Sequence, residues 1–305
     1  MIRIAILGAT GFIGRNLISH FKSIPNIYLV LYGRNAAKMK QYESLPNSKL
    51  VIGDFTKGEK LDETTKDCNL VYHLISTTIP SKSWNLPEIE IYENLLPTIK
   101  LLNCCVANNV SKVIFASSGG TVYGKSNKKL NENVKILPFS PYGITKATIE
   151  FYLEYFREKS NLNYDIYRIS NPYGPGLDKL DFGVINTWVK KAINNEEIHV
   201  YGDGNVVKDF IYIDDVVRLL AHSTDSSVFE SNLYNLCAEE NKSLNDIIEH
   251  IKINLNKELR VVYNETKLSD NTRVNLDNSR LLSRISAFSF TSFNEGIKRT
   301  IDSYI

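Results

Sequence analysis

Short apolar segments recur along the first 170 residues, separated by stretches of helix length. The segments are 2–7, 27–32, 50–52, 70–75, 113–116 and 164–169. Continuous apolar runs of this kind are typical of strands that are buried on both faces. The stretches with helical spacing are 12–22, 35–44, 88–108 and 141–159. Strands that alternate with helices predict βαβ units with right-handed crossovers, and therefore an α/β fold with a doubly wound parallel sheet.

After residue 171 the elements become shorter and more mixed. Turn-forming prolines and glycines occupy four of the five positions 172–176. They are followed by a helical stretch near 183–194, a short strand at 198–201 and a loop at 202–205. We therefore predict a first domain over residues 1–170 and a smaller mixed α/β region over residues 171–305, with segments that can interleave.

Composition and charge narrow the class of protein. The chain has 305 residues, 43% hydrophobic and 23% charged, which is ordinary for a globular protein. A formal net charge of +2 gives little electrostatic attraction for nucleic acid or an anionic membrane, so neither partner is predicted. The chain contains no apolar run long enough to span a bilayer. The glycines near the N-terminus fit a strand and loop better than a secretory signal.

The four cysteines have neither the spacing of a metal site nor that of a disulfide framework. They are Cys68, Cys104, Cys105 and Cys237. We expect a reduced, cytoplasmic protein that holds no metal.

A glycine-rich turn follows the first predicted strand. Gly8, Gly11 and Gly14 have the spacing G-x-x-G-x-x-G, which differs from the G-x-G-x-x-G of the ordinary dinucleotide fingerprint. Glycines allow a tight turn and let the backbone approach a pyrophosphate, whose charge is stabilised by the N-terminus of the next helix. The alternative is a turn without a ligand. Because a strand precedes the loop and a helix follows it, we favour dinucleotide binding.

The end of the second strand lacks the acid that usually accepts hydrogen bonds from the adenosine ribose of NAD. Residues 31–35 read Leu-Tyr-Gly-Arg-Asn. Two interpretations of Arg34 stay open: it binds a 2′-phosphate, which makes NADP a candidate, or it is a solvated arginine that opens a helix. Asp54, which ends the third strand, is a candidate partner for the adenine amino group.

Tyr142 and Lys146 are candidates for proton transfer. Pro141 suits the first position of a helix, so the two side chains lie four residues apart on one helix face. A free phenol has a pKa near 10, so only about 0.1% is ionised at pH 7. A nearby ammonium favours the phenolate and makes Tyr142 a usable general base. Because this spacing is common by chance, the pair needs support from another part of the chain.

The strand at 113–116 supplies that support, because it leads into Ser117, Ser118 and two glycines. Doubly wound sheets bind ligands outside the carboxyl ends of their strands. A serine at this place can hydrogen-bond the substrate oxygen that Tyr142 deprotonates. The alternative is a turn rich in serine and glycine with no chemistry. Together, the glycine loop, the serines and the Tyr–Lys pair indicate an enzyme that acts on a hydroxyl or a ketone.

Several motifs, in the same order, resemble the extended short-chain dehydrogenases/reductases, and among them the NAD-dependent sugar-nucleotide epimerase/dehydratase family. The motifs are 8–14, 117–124, Tyr142-x-x-x-Lys146, 168–176, 201–204 and 208–216. Segments 94–102 and 276–280 are similar to the UDP-glucose 4-epimerase-like proteins. The resemblance covers essentially the whole chain. It implies a Rossmann-type sheet over residues 1–170 that binds the dinucleotide, and a smaller C-terminal region over 171–305 that mainly binds the substrate.

The resemblance also implies the roles of individual residues. Ser118, Tyr142 and Lys146 would be catalytic, and Asn171 and Lys208 would contact the substrate. Lys208 stands where arginine is usual, which keeps the charge but loses the bidentate fork. The cofactor-binding residues would be Gly8, Gly11, Phe12, Ile13, Gly14, Arg34, Asp54, Phe55, Leu74, Ile75, Ser76, Ser117, Tyr142 and Lys146. The substrate-binding residues would be Thr78, Ser118, Tyr142, Asn171 and Lys208.

Gly119 and Gly120 bear on the reaction. Family members that dehydrate or decarboxylate sugars place an acid directly after the catalytic Ser or Thr, so these glycines disfavour dehydration. We expect NAD-dependent 4-epimerisation of a nucleotide-diphosphate hexose of the UDP-glucose/UDP-galactose type, through a transient 4-keto sugar. The alternatives are an NADPH-dependent reductase of a 4-keto nucleotide sugar and a non-catalytic dinucleotide sensor. Aromatic residues at 151, 152, 155 and 156 are core or, as the resemblance implies, part of a homodimer interface.

Overall fold

The computed structural model describes residues 1–126, 128–177, 183–224, 230–265, 274–285 and 287–305. The strands are β1 (Ile2–Leu7), β2 (Ile27–Gly33), β3 (Ser48–Ile52), β4 (Leu70–His73), β5 (Lys112–Ser118), β6 (Lys129–Leu130), β7 (Asn163–Ile169), β8 (Asn171–Tyr173), β9 (Ile198–Tyr201), β10 (Val207–Tyr212), β11 (Asn232–Leu236), β12 (Asn241–Ser243), β13 (Val261–Asn264) and β14 (Asn275–Leu276).

The α-helices are α1 (Phe12–Phe21), α2 (Ala36–Met39), α3 (Leu61–Thr65), α4 (Pro80–Ser83), α5 (Pro87–Ile89), α6 (Leu96–Ala107), α7 (Gly119–Val122), α8 (Pro141–Ser160), α9 (Val184–Ile193), α10 (Ile213–Ala221), α11 (Leu244–Leu255), α12 (Ser279–Leu282) and α13 (Phe293–Asp302). Turns of 3₁₀-helix occupy Lys40–Tyr42, Phe55–Lys57 and His222–Thr224, and a π-helix occupies Glu90–Leu95.

Seven strands form the main sheet in the order β11-β7-β5-β4-β1-β2-β3. Parallel pairing joins β1 to both β2 and β4, and further parallel pairs join β2 to β3 and β4 to β5. This sheet confirms the predicted doubly wound α/β fold. The strand order reverses between β1 and β4. Sheets of this class bind ligands at such a reversal, outside the carboxyl ends of the strands.

The central strands are buried on both faces, as their continuous apolar sequences predicted. In β1 the side chains of Ile4, Ala5, Ile6 and Leu7 are fully buried. Burial of apolar surface stabilises the fold by about 25 cal/mol per Å². The strand therefore gives a fixed support to the loop that follows Leu7.

The predicted helix over 88–108 is present but interrupted. It consists of α5, the π-helix Glu90–Leu95 and α6, in which Pro97 occupies the first turn. Proline has no N–H, and its ring clashes with the carbonyl four residues earlier, so a regular α-helix cannot continue through this point. The chain widens into π-helix just before the proline. Such segments are frequent at functional sites.

The chain divides into two compact units whose segments interleave. The first comprises Met1–Val122, Ile136–Arg168 and Val217–Tyr234. The second comprises Tyr123–Lys135, Ile169–Val216 and Asn235–Ile305. The small sheets of the second unit have the orders β12-β10-β8, β13-β9 and β14-β6. The assignment of cofactor binding to one unit and of substrate binding mainly to the other stays a prediction.

All four cysteines are free. Within the described part of the chain, no helix is long and apolar enough to cross a membrane.

Candidate active site

The glycine loop begins directly after β1. Gly8 has a backbone φ of 94°, a conformation that residues with a side chain rarely adopt. A Cβ atom at Gly8 would also lie 3.3 Å from the carbonyl carbon of Leu74, so glycine lets two chain segments approach closely. The amides of Gly8 and Ala9 donate to the Tyr32 carbonyl oxygen at 3.1 and 3.2 Å. These bonds fix the loop against the end of β2.

Helix α1 starts inside the loop. Its N-cap is Gly11, which has no side chain to accept a hydrogen bond from the first turn. The amides of Phe12, Ile13 and Gly14 form the first turn, where an α-helix supplies no internal acceptors. A Cβ atom at Gly14 would lie 2.2 Å from the Gly8 carbonyl oxygen, which leaves no room for a side chain. The loop therefore presents backbone donors that an anion can approach. This is the fit that a dinucleotide pyrophosphate requires.

The end of β2 carries Arg34 where many dinucleotide folds have an acid. Arg34 is exposed and forms no ion pair or hydrogen bond with any other described residue. The next residue, Asn35, accepts a hydrogen bond from the Lys38 amide at 3.0 Å and caps α2. The guanidinium is thus accessible to a phosphate, and its role stays a prediction.

Asp54 and Phe55 lie just after β3, which ends at Ile52, two residues before the end that the sequence predicted, and their side chains differ in environment. The Asp54 carboxylate accepts bonds from the Thr56 amide at 3.0 Å and the Thr56 hydroxyl at 2.9 Å, and so caps a short 3₁₀ turn. The Phe55 ring is buried and lies 5.2 Å from the His73 ring, centroid to centroid. Phe55 is therefore a core side chain, and its assignment to the cofactor stays a prediction.

Helix α8 carries the Tyr–Lys pair. The Ser140 hydroxyl accepts a hydrogen bond from the Gly143 amide at 3.1 Å and caps the helix, and Pro141 occupies its first turn as predicted. A Cβ atom at Gly143 would lie 2.6 Å from the Thr121 carbonyl oxygen. The start of α8 therefore packs directly on α7, the short helix that follows Ser118. This packing brings the end of β5 close to the first turn of α8.

Lys146 is buried and held by the end of β5. Its ammonium donates to the Ala116 carbonyl oxygen at 2.9 Å. It lies 4.7 Å from the Phe115 ring centroid and 5.6 Å from the Tyr142 ring centroid. Burial lowers the pKa of Lys146 to about 8, against the opposing effect of two carboxylates, Glu90 and Glu150. The lysine therefore titrates close to physiological pH.

The pKa of Tyr142 moves in the opposite direction from our expectation. Burial raises it to about 12, a hydrogen bond with Ser76 lowers it, and the Glu90 carboxylate raises it. We expected the lysine ammonium to lower this pKa, and that expectation was wrong for the net shift. Desolvation of the phenolate outweighs the favourable contacts.

The two serines at the end of β5 have different surroundings. The buried Ser117 hydroxyl donates to the Glu150 carboxylate. Glu150 in turn forms a buried ion pair with Arg168, with Nη2 to Oε2 at 2.7 Å. The Ser117 side chain is thus part of an internal network, and the assignment of this residue to the cofactor stays a prediction. Ser118 is only partly buried, and its hydroxyl oxygen would lie 4.0 Å from a Cβ atom added at Gly120.

The segment after β4 lines the same sheet edge. The Leu74 amide donates to the Leu7 carbonyl at 3.1 Å, which extends the β1–β4 pairing past the strand. Ile75 lies next to Gly8. The exposed Ser76 hydroxyl donates to the Thr78 carbonyl at 3.1 Å. This segment therefore connects the glycine loop to the surroundings of Tyr142.

Thr78, predicted to bind substrate, uses its hydroxyl inside the protein. The hydroxyl donates to the Glu90 carboxylate. Glu90 also accepts from the Asn94 side-chain amide at 3.2 Å. The side-chain carbonyl oxygen of Asn94 accepts from the Thr77 backbone amide at 3.0 Å. Sequence reasoning missed Glu90, because nothing in its spacing links it to α8.

Asn171 and Lys208 belong to the second unit. The Asn171 side-chain amide donates to the Asp209 carbonyl oxygen at 2.7 Å. Asn171 pairs with Phe210 in the β8–β10 register, two residues beyond Lys208. Lys208 is partly exposed. These two residues therefore lie close together on neighbouring strands, within a unit separate from the one that holds Tyr142.

An open depression of about 420 Å³ lies at the opposite ends of the strands, between residues 106–111 and 160–163. Its lining contains no titratable side chain. It therefore offers no groups for proton transfer, and the carboxyl edge is the better candidate for a catalytic site.

Comparisons with known proteins agree on a family. The model of the family described as "NAD dependent epimerase/dehydratase family" matches residues 4–237. A Methanocaldococcus jannaschii protein named "Putative UDP-glucose 4-epimerase" is 29% identical, over 98% of this chain and 97% of its own length. An Escherichia coli dTDP-4-dehydro-6-deoxyglucose reductase is also 29% identical, over 98% of this chain and 96% of its own length.

A solved structure is similar over nearly the whole chain. It is the UDP-N-acetylglucosamine 4-epimerase from Methanobrevibacter ruminantium in complex with UDP-N-acetylmuramic acid, with a TM-score of 0.90 and 27% identity. The similarity covers 99% of this chain and 98% of that one.

Proposed function

Because this chain belongs to the NAD dependent epimerase/dehydratase family, we propose that it interconverts the C4 epimers of a nucleotide-diphosphate hexose of the UDP-glucose/UDP-galactose type. It is an NAD-dependent nucleotide-sugar enzyme of the extended short-chain dehydrogenase/reductase type. The observation that carries the proposed reaction is the position of Lys146, which hydrogen-bonds the end of β5 and faces the Tyr142 ring.

In the proposed reaction Tyr142 takes the proton of the C4 hydroxyl and later returns one to the 4-keto oxygen. Ser118 hydrogen-bonds the same oxygen and orients it toward the phenol. The Lys146 ammonium stabilises the phenolate, which burial alone disfavours. NAD, held by the glycine loop, would supply the redox chemistry, which is the reversible removal of hydride from C4 that makes the transient 4-keto sugar.

The glycine loop supports the cofactor assignment. Gly8 adopts a positive φ, and a Cβ atom at Gly14 would collide with the Gly8 carbonyl oxygen. Backbone amides at the start of α1 would bind the pyrophosphate. The predicted alternative, NADP, rests on the exposed Arg34 alone.

Asn171 and Lys208 would bind the diphosphate or the sugar. Lys208 would attract the diphosphate as a point charge, without the planar fork that arginine offers. Gly119 and Gly120, which open α7 after Ser118, offer no acid for the extra proton transfers of a dehydratase. The lack of an acid at positions 119 and 120 favours epimerisation over dehydration.

The direct test is to incubate the purified protein with UDP-glucose, and separately with UDP-galactose, without added cofactor. The C4 epimer should appear in both reactions, as followed by ¹H NMR, since the nicotinamide is regenerated in every turnover. A panel of other UDP- and dTDP-hexoses would extend the search for the preferred sugar. Absence of epimer with every sugar in the panel would contradict the proposal.

A reductase acting on a 4-keto nucleotide sugar is the second candidate. The similarity to the E. coli dTDP-4-dehydro-6-deoxyglucose reductase favours it, at the same identity as the epimerase-like relative. The same three residues would serve, with hydride moving in one direction only. Consumption of NADPH in proportion to product, with a 4-keto nucleotide sugar as substrate, would replace the epimerase proposal with this one. Cofactor binding without any turnover would instead support a sensor.

We further propose that the partner of this chain, besides its substrate, is a second copy. Ile144, Phe151 and Tyr155 are exposed along α8, and Tyr92 and Leu96 are exposed on the neighbouring segment. Exposed apolar side chains along two adjacent helical segments favour a homodimer. Light scattering after size exclusion should give twice the mass of 34.7 kDa, and Phe151→Glu should give a monomer. A monomeric native protein would refute this proposal. Cytoplasmic location stays a prediction based on the cysteines.

A further inference from the structure

Glu90 is a buried carboxylate next to the candidate catalytic pair. Glu90 is 2% exposed and is the first residue of the π-helical segment. It accepts hydrogen bonds from the Thr78 hydroxyl and from the Asn94 amide at 3.2 Å, and both of these donors are neutral. Within the described part of the chain, no lysine or arginine forms an ion pair with Glu90. A buried charge without a direct counter-ion is costly, so its position calls for a functional reason.

A small cavity shows which groups face Glu90. Glu90 lines this cavity together with His73, Asn94, Thr98 and Lys146. Its volume of about 10 Å³ is far too small for a nucleotide sugar. The cavity therefore lies between α8 and the π-helical segment, and both the Glu90 carboxylate and the Lys146 side chain line it.

Glu150 is the other carboxylate that acts on Lys146. It belongs to α8 itself, one helical turn beyond the lysine, and is also buried. Its charge is balanced by Arg168 of β7, which donates to both carboxylate oxygens. Glu150 therefore contributes less net negative charge to the surroundings of Lys146 than its position alone implies.

His73, at the end of β4, is the remaining titratable group that lines this cavity. Its Nε2 is 2.8 Å from the Thr98 hydroxyl, and burial together with the Lys146 charge lowers the pKa of His73 to about 3. The imidazole is therefore neutral at physiological pH. Of the groups that face Lys146, Glu90 is the carboxylate whose charge no described cation pairs.

We propose that Glu90 is a positioning residue whose carboxylate keeps Lys146 in its ammonium form beside Tyr142. This proposal rests on the proposed function, because the ammonium serves the phenolate of the reacting tyrosine. The π-helical turn places Glu90 beside the small cavity, and the hydrogen bonds from Thr78 and Asn94 fix its carboxylate there. The same charge disfavours the Tyr142 phenolate, so Glu90 sets a balance between the two groups.

The sign of the effect follows from the two opposing influences on the lysine. Burial lowers the pKa of Lys146, and the Glu90 carboxylate raises it. Removal of this charge should therefore lower that pKa further. Glu90→Gln is the suitable change, since an amide of the same shape can still accept from Asn94 and hydrogen-bond Thr78.

The test is an NMR titration of the purified, cofactor-containing protein with ¹³C-labelled lysine. The Lys146 resonance is identified by its loss in Lys146→Met. In the native protein it should titrate near pH 8, and in Glu90→Gln its pKa should fall by about one unit, the size expected for removal of a nearby buried charge. Glu88→Gln is the matched control, because it removes the same charge from an exposed position two residues away. Its titration should equal that of the native protein.

An unchanged Lys146 titration in a folded Glu90→Gln variant would overturn the proposal, as would an equal shift in Glu88→Gln. A circular dichroism melt establishes that each variant is folded. If Glu90→Gln does not fold, Glu90→Met takes its place: it also removes the charge, with an apolar side chain of similar length, and an unchanged Lys146 pKa in that variant would equally overturn the proposal.

Activity supplies a second readout that a purely structural role would not give. Relative to the native enzyme, kcat of Glu90→Gln should fall about four-fold further at pH 8 than at pH 6.5, because more of the lysine is neutral at the higher pH. A structural defect would lower kcat by one constant factor at both pH values. The titration needs no substrate, so a protein that fails to epimerise sugars but shows the shift refutes the proposed function and leaves the Glu90 inference standing.

Discussion

The glycine loop and the Tyr142–Lys146 site lie at the same edge of one sheet, but they are built in different ways. The loop uses backbone amides and the absence of side chains, and its parts lie within seven residues of one another, from Gly8 to Gly14. The tyrosine–lysine site uses side chains whose charge depends on Glu90 and distant partners. Local sterics therefore define the first site, whereas long-range electrostatics define the second.

The substitution with the largest expected effect removes the reacting group of the Tyr142–Lys146 site. Tyr142→Phe should lower kcat by about 10³-fold, in the range expected for loss of a general acid–base group, because no hydroxyl remains to exchange the C4 proton. The glycine loop is untouched, so the purified variant should contain as much NAD as the native protein. Turnover and the nucleotide released on denaturation measure the two effects separately. Near-native turnover would show that Tyr142 is not the base.

The second effect tests the buried charges that support α8. Glu150→Gln should destabilise the fold by about 3–5 kcal/mol, because the Arg168 guanidinium stays buried without its counter-ion. Urea unfolding measures the change. The matched control is Glu63→Gln, which breaks the exposed Lys49–Glu63 ion pair at 2.8 Å and should cost less than about 1 kcal/mol. Equal losses in both variants would contradict the importance of the buried pair.

These two regions also differ in how far the sequence could predict them. The glycines and the preceding apolar run predicted the loop, since its geometry follows from steric limits on a short stretch of chain. The sheet followed from the same kind of local pattern. The surroundings of the Ser117 side chain could not be predicted in the same way. Its hydroxyl turns inward to Glu150, a contact between two elements that no local spacing reveals.

The third effect tests the steric account of the loop. Gly14→Ala would place a Cβ atom 2.2 Å from the Gly8 carbonyl oxygen, so the loop must move. Overpacking of this kind costs about 1–3 kcal/mol, and NAD affinity should fall by about ten- to hundred-fold. Gly120→Ala is the control, since the nearest atom to its added Cβ would be 4.0 Å away. Titration of nucleotide-free protein measures the affinities, and an unchanged value for Gly14→Ala would contradict the account.

The substitution with the smallest expected effect tests whether the Arg34 side chain assists the backbone in cofactor binding. If Arg34 binds a 2′-phosphate, Arg34→Ala should weaken NADP binding by about ten-fold and leave NAD binding unchanged, since a charge-assisted bond to phosphate is worth about 1.5–3 kcal/mol at most. Binding titrations with both nucleotides measure the difference. Equal affinities before and after the change would identify Arg34 as a solvated residue.

The net pKa of Tyr142 marks the limit of prediction from sequence. Four-residue spacing correctly placed Lys146 near the phenol ring, but the direction of the shift depends on burial and on Glu90, which lies 52 residues earlier in the chain. Likewise, nothing in the sequence reveals that the Thr78 hydroxyl donates to the Glu90 carboxylate. Helical spacing predicts which side chains are neighbours on one helix. It does not predict the charges that other elements bring to them.

In the proposed reaction, hydride leaves C4 of a nucleotide sugar and returns to the same carbon. UDP-glucose carrying deuterium at C4 tests it, with purified protein and no added cofactor. The product should be UDP-galactose that retains the deuterium at C4, as read by NMR and mass spectrometry. Product that has lost the label to solvent, or a protein that forms no epimer while passing deuterium to free nicotinamide nucleotide, would contradict it.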